Sequence, residues 1–242
     1  MKAFNKTRRR LLEGGRLQRY LLYAFGEIVL VVAGILIALQ LNAWKAGQHD
    51  REQETVQLKN LKDDLALQLE IIDAQMIHDT TMSRRADSAF TFFTHELPLV
   101  EFDRILYGSG QLGYRKTFVA SDASFKELLS TGGLALITDR NLRTAIMRYY
   151  QQLDYTKLAV NTNNGLIDQL FNLNASNSAP CFSMDVHGNL DPSQQLSGQD
   201  RYRLHKSITA RRNLSQIALE ICDRQRTATL ALIAQLDKAL QP

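Results

Sequence analysis

His95-Glu96 begins like the metal-binding helix of a zinc hydrolase, in which a second histidine four residues on completes the pair on one helix face. Leu99 stands where that histidine is needed, so the pair is not made. His49, His78, His187 and His205 fall at spacings that define no metal site and read as isolated surface or packing histidines. Gly108-Ser109-Gly110 lacks the third glycine and the strand–helix setting of a dinucleotide loop, and the sequence carries no G-x-S-x-G and no phosphate-cradling Gly-Lys-Ser/Thr. Asp63-Asp64 lie beside Lys59 and Lys62, the pattern of an ion-paired, solvated helix face. The expectation is a protein without catalytic or metal-binding residues and without a cofactor.

Two features retain chemical interest. Cys181 and Cys222 either form a disulfide that ties a loop to the C-terminal helix, worth on the order of 3–4 kcal/mol by loop closure, or stand as independent thiols. Glu27 is a carboxylate inside an otherwise apolar run. At 100° per residue it shares a helix stripe with Ala24, Val31, Gly34 and Ala38. Gly34 and Ala38 form a small-xxx-small pair that lets two helix backbones approach in lipid. Glu27 on that face either finds a partner across the interface (Tyr23, or a second Glu27 sharing a proton) or snorkels alone to the headgroups.

The element that must hold Glu27 is the stretch Leu21–Leu41, whose 21 residues rise about 30 Å as a helix, the thickness of a bilayer core. Tyr20, Tyr23 and Trp44 flank it where amphipathic rings sit at headgroup level. A cleaved signal peptide has a similar basic start but a shorter apolar run, and an uncleaved anchor fits better. The chain divides into a basic segment 1–20, a membrane helix 21–44 and a domain 45–242.

Charge sharpens that division. The 242 residues carry a net +4, which invites a nucleic-acid partner. Residues 1–20, however, hold seven cations against Glu13 alone, while 22 cations face 23 anions from Lys45 onward. The excess is a tail of +6, and it lacks the aromatic interleaving of a nucleic-acid segment. By the positive-inside rule it places the N-terminus in the cytoplasm, with Lys6, Arg8, Arg9, Arg10, Arg16 and Arg19 against anionic lipid headgroups and no nucleic-acid role.

The domain beyond reads as all-α, a helical bundle with one long loop. Leu58, Leu61, Leu65, Ile72 and Met76 form an apolar seam that Gln68 interrupts, on a helix that can continue the membrane span. The seam packs either within the chain or against a second copy. His95 to Ser121 is turn-rich, with a short helix at Glu101–Tyr107. A short helix runs from a Ser121 or Asp122 cap to Leu129 and stops at Thr131-Gly132-Gly133. Asp139 caps the next helix, with Leu142, Ile146, Tyr149 and Leu153 on one face. Residues 172–200, rich in Asn, Ser, Gly and Pro, form a long loop with room for a hairpin around Phe182–Leu190. The final helix buries Leu214, Ile217, Ile221, Ala228, Leu232 and Leu236.

The anchor, from Tyr20 through Gly26-Glu27-Ile28-Val29-Leu30-Val31-Val32-Ala33-Gly34-Ile35-Leu36-Ile37-Ala38-Leu39-Gln40-Leu41-Asn42-Ala43-Trp44, resembles that of an uncharacterised family of short single-pass bacterial membrane proteins. Thr131-Gly132-Gly133-Leu134-Ala135-Leu136-Ile137, with Asp139, Leu142-Arg143 and Tyr149-Tyr150, is similar to it as well. The resemblance implies a bacterial inner membrane with the large domain in the periplasm, and it implies no activity.

The function expected is a membrane-anchored, non-enzymatic interaction or scaffold protein that forms a homo-oligomer, or joins another membrane protein, through the Glu27, Val31, Gly34 and Ala38 face. A periplasmic ligand-sensing domain acting through a partner, or an oligomeric ion or proton conduit using Glu27, are the alternatives.

Overall fold

The computed structural model describes residues 16–95, 112–171 and 197–241. These form four helices: α1 (Arg16–His95), α2 (Ala123–Thr131), α3 (Arg140–Phe171) and α4 (Gly198–Ala239), with a 3₁₀ turn at Gly133–Leu136 and no strand among the described residues. The seam helix therefore does continue the apolar stretch without a break. The chain divides into two compact units, Met1–Glu54 and Thr55–Pro242.

In the first unit the helix from Leu21 is long and apolar enough to cross a membrane, and none of its most apolar window is buried. In the second unit α1, α3 and α4 pack by a seven-residue rule. Besides Ser83 on α1 and Ser207 on α4, the buried positions on α1 are Leu58, Leu61, Leu65, Gln68, Ile72, Gln75, Asp79, Met82, Ala86 and Ala89. On α4 they are Leu204, Ile208, Arg211, Ser215, Ala218, Cys222, Gln225, Thr229, Leu232 and Leu236. Both series alternate steps of three and four, the signature of left-handed coiled-coil packing. Gln68 belongs to the α1 seam and does not interrupt it. Leu58, Leu61, Leu65 and Ile72 join one core with Ile146, Leu153, Val160 and Leu232, so this seam is spent within the chain and is not open to a second copy.

The α4 stripe expected from apolar residues alone is out of phase. Ile217 is 47% exposed and Leu214, Ile221 and Ala228 are only half-buried, while Arg211, Ser215, Gln225 and Thr229 point inward. Polar residues hold the seam positions, so an apolar-only reading lands one step away until Leu232. Polar groups there pair with one another. The Thr156 hydroxyl donates to Gln225 Oε1 at 3.1 Å, and the hydroxyls of Tyr149 and Thr229 meet at 3.0 Å.

Ion pairs fix the register. Lys62–Asp237, Asp73–Arg226 and Asp87–Arg212 advance along α1 by the same steps by which their partners retreat along α4, so the two helices run antiparallel without a slip. Near the far end of α1, the Phe90 and Phe93 rings meet His205 edge-on at 5.4 and 5.1 Å. Helix α3 is antiparallel to α4 and hence parallel to α1, because Tyr149 meets Thr229 while Asn163 meets Leu214.

Helix ends follow local chemistry. Asp139 caps α3 as expected, its Oδ1 accepting from Asn141 N at 2.7 Å and Leu142 N at 3.2 Å. Gly132 ends α2 at φ 72°, the left-handed region that glycine enters without strain. Asp122 precedes α2 but makes no side-chain cap. Asp64 on α1 does that work, its Oδ2 accepting from Ser124 N at 2.8 Å. Helix α4 starts at Gly198, inside the range expected for the long loop, because Ser197 Oγ accepts from Asp200 N and donates back to its carboxylate. The helix expected at 101–107 and the hairpin at 182–190 lie outside the described residues.

Candidate functional site

Residues 112–122 lie between the helices as a turn at 112–113 followed by irregular chain, and buried Leu112 and Phe118 anchor them in the core. Backbone outside a helix needs partners for its buried peptide groups, and among the described residues no strand supplies them. Side chains from all three long helices do so instead. Arg211 on α4 donates from Nε to Leu112 O at 2.8 Å and from Nη2 to Tyr114 O at 3.0 Å. On α3, Asn164 donates to Lys116 O at 2.9 Å. Asn161 holds both groups of Phe118, accepting from its N at 3.1 Å and donating to its O at 3.0 Å. On α1, Gln68 accepts from Ser121 N at 2.8 Å. The residues held, 112, 114, 116 and 118, recur every second position, which is the repeat of one edge of an extended chain.

Arg211 is the centre of this clasp and is only 1% exposed. Its third arm donates from Nη1 to Ser215 Oγ at 3.0 Å, and the same atom lies 4.0 Å from Asp79 Oδ1. Asp79 also accepts from Gln75 Nε2 at 2.7 Å. Burial lowers Arg211 to about 10 while Asp79 draws it back up, and burial raises Asp79 against the pull of Gln75 and Arg211. Neither group reaches solvent, so the pair holds backbone and offers no surface to a substrate.

His78 lies beside the pair, bonded to the Tyr114 backbone, while its Nε2 is buried without a partner. Burial, with the cations of Arg211, Lys116 and Arg85 around it, lowers His78 to about 4. The folded value lies below the unfolded one. Its contribution is therefore complete above pH ~6.5 and is lost as pH falls toward 4. Asp79, shifted upward, holds its proton longer in the folded state and acts in the opposite sense. Comparing wild type with His78→Gln isolates the histidine. Between pH 7 and 4.5 wild type should lose about 1–2 kcal/mol more stability than the variant, after allowance for the partial exposure of the ring. Urea unfolding at the two pH values reads the difference, and equal losses would remove His78 from the acid response.

The residues expected to form a site lie as follows. Glu27, Val31, Gly34 and Ala38 are exposed on one face of α1, and no atom lies within 4 Å of a Cβ built on Gly34. Arg19 is exposed, Arg16 opens α1, and Lys6, Arg8, Arg9 and Arg10 lie outside the described residues. Cys222 is a free thiol sealed in the α4 seam, pushed up to about 12 by burial and by the Asp79 charge. Cys181 lies outside the described residues. Among the described residues no cluster of His, Cys, Asp and Glu is placed to hold a metal ion. Reading the residues in sequence missed both the Arg211 clasp and a groove of about 740 Å³ between the end of α3 and the start of α4. The clasp's signal was present in the three–four spacing of α4, provided that polar residues are allowed in the seam.

The chain belongs to a family of unknown function (DUF6090), which it matches over residues 27–190, from Glu27 in the apolar stretch to a point short of α4. No curated protein and no solved structure matches it.

Proposed function

We propose that this member of the family is a membrane-anchored, non-enzymatic interaction or scaffold protein that self-associates through the Glu27, Val31, Gly34 and Ala38 face of its anchor. The observation that carries the reading is the bareness of the apolar stretch. Leu30, Val31 and Ile35 are more than half exposed, and no described residue covers Gly34. An apolar helix of this length is at home in a bilayer, and its small-residue face suits close approach by another helix. The anchor lies in a bacterial inner membrane. The +6 tail is cytoplasmic, with Lys6, Arg8, Arg9, Arg10, Arg16 and Arg19 on lipid headgroups at about 1 kcal/mol for each cation near the surface, and the bundle is periplasmic.

Replacing Gly34 and Ala38 by leucine should lower self-association by about fivefold or more in a membrane two-hybrid assay, with insertion unchanged. Unaltered association would remove this interface. A ligand-binding domain acting through a partner protein is a second reading, motivated by the groove between α3 and α4.

A further inference from the structure

Helix α3 ends at Phe171, whereas α4 begins at Gly198 and runs antiparallel beside it. The register that puts Asn163 against Leu214 brings Leu170 about level with Ser207. A trough of about 740 Å³ runs from the last turns of α3 along the first turns of α4. That volume lies within the range of small-molecule sites.

The trough has two unlike ends. Leu166 and Leu170 of α3 face Ala210 and Leu214 of α4 toward one end, with Gln169 and Asn213 at its rim, while Arg203 and Lys206 stand toward the other. Among the described residues no acidic side chain lines it. Arg203 approaches Asp200 at 4.0 Å, and among the described residues Lys206 makes no ion pair. From Arg203 to Leu214 the helix rises about 17 Å, the reach of a long acyl chain. One apolar end with two cations beyond it matches a molecule with a single chain and one negative head.

We propose that this groove binds a single-chain anionic amphiphile, a long-chain fatty acid, with its carboxylate at Arg203 and Lys206 and its chain along Leu166, Leu170, Ala210 and Leu214. The inference is independent of self-association through the anchor. It deepens the ligand-binding reading, on which it rests, by naming the class of ligand that this groove would hold.

The test uses the full chain in phosphatidylcholine nanodiscs with a photoreactive palmitate as probe, followed by peptide mapping. Labelling should be saturable on the α4 peptide from Tyr202 to Leu214. Palmitate should compete it away and hexadecanol, which lacks the charge, should not. Labelling of Leu21–Leu41 by probe dissolved in the bilayer is the internal reference. Arg203→Glu with Lys206→Glu should lower groove labelling at least tenfold with the reference unchanged. Ala210→Trp, which fills the apolar end and keeps both cations, should do the same, and the thermal melts of both variants should stay cooperative. Equal competition by hexadecanol, unchanged labelling in both variants, or a groove closed to the probe because a polypeptide occupies it would overturn the proposal. Each result is read whether or not the anchor self-associates.

Discussion

Arg211→Leu should cost the second unit about 3–5 kcal/mol, a large share of the ~5–15 kcal/mol that holds a domain of ordinary stability. The leucine fits the seam, so lost packing is the smaller part. The larger part is what stays behind: the carbonyls of Leu112 and Tyr114 lose their donors, and the Asp79 carboxylate keeps its burial without its cation. Arg211→Lys should recover less than half of the loss, because one ammonium cannot reproduce a fork that serves Leu112, Tyr114 and Ser215 at once. Asp79→Leu added to Arg211→Leu separates the two causes. Removing the stranded carboxylate returns the ionic share, and the remaining deficit is that of the two carbonyls. Urea unfolding of the full chain followed by helical circular dichroism measures all three. A loss below about 1 kcal/mol for Arg211→Leu would mean that the clasp contributes little.

Asn161→Leu should cost about 2–4 kcal/mol, since it leaves both peptide groups of Phe118 unpaired at a buried site. Asn161→Asp keeps an acceptor for Phe118 N but sets a carboxylate oxygen against Phe118 O, so it should lie close to the leucine variant and not close to wild type. The damage should also be local before it is global. With its edge released, the segment opens by itself, and trypsin should cut after Arg115 or Lys116 under conditions where the long helices remain intact. Cleavage that tracks only global unfolding would show that Asn161 does not hold this segment on its own.

The parts of the fold that sequence reasoning reached are those where one local force decides. Fourteen consecutive residues from Ile28 to Leu41 contain only Gln40 as a strongly polar side chain, and nothing but an exposed apolar helix fits them. Asp139 and Gly132 act on peptide groups within three residues of themselves, so their roles follow from the neighbouring sequence. Leu142, Ile146, Tyr149 and Leu153 are apolar at the right interval and are buried. The parts that escaped depend on partners far along the chain. Gln68 and Arg211 resemble surface residues until Ser121 and Leu112, more than 50 and 90 positions away, arrive to use them. Asp64 caps a helix 60 residues away, so no local pattern could assign it. The candidate groove exists only because α3 stops short of the start of α4, which is a matter of packing and register and not of composition.

The clasp also sets an order of events during synthesis. The 112–122 segment is made before α3 and well before α4, yet its first carbonyls are satisfied from Arg211, on a helix made later than α1, α2 and α3. Until the 42 residues of α4 emerge, the α1 and α3 seam positions lack the helix that they pack against in the folded unit. The carbonyls of Leu112 and Tyr114 therefore wait for α4 before they find the donor that holds them in the folded unit.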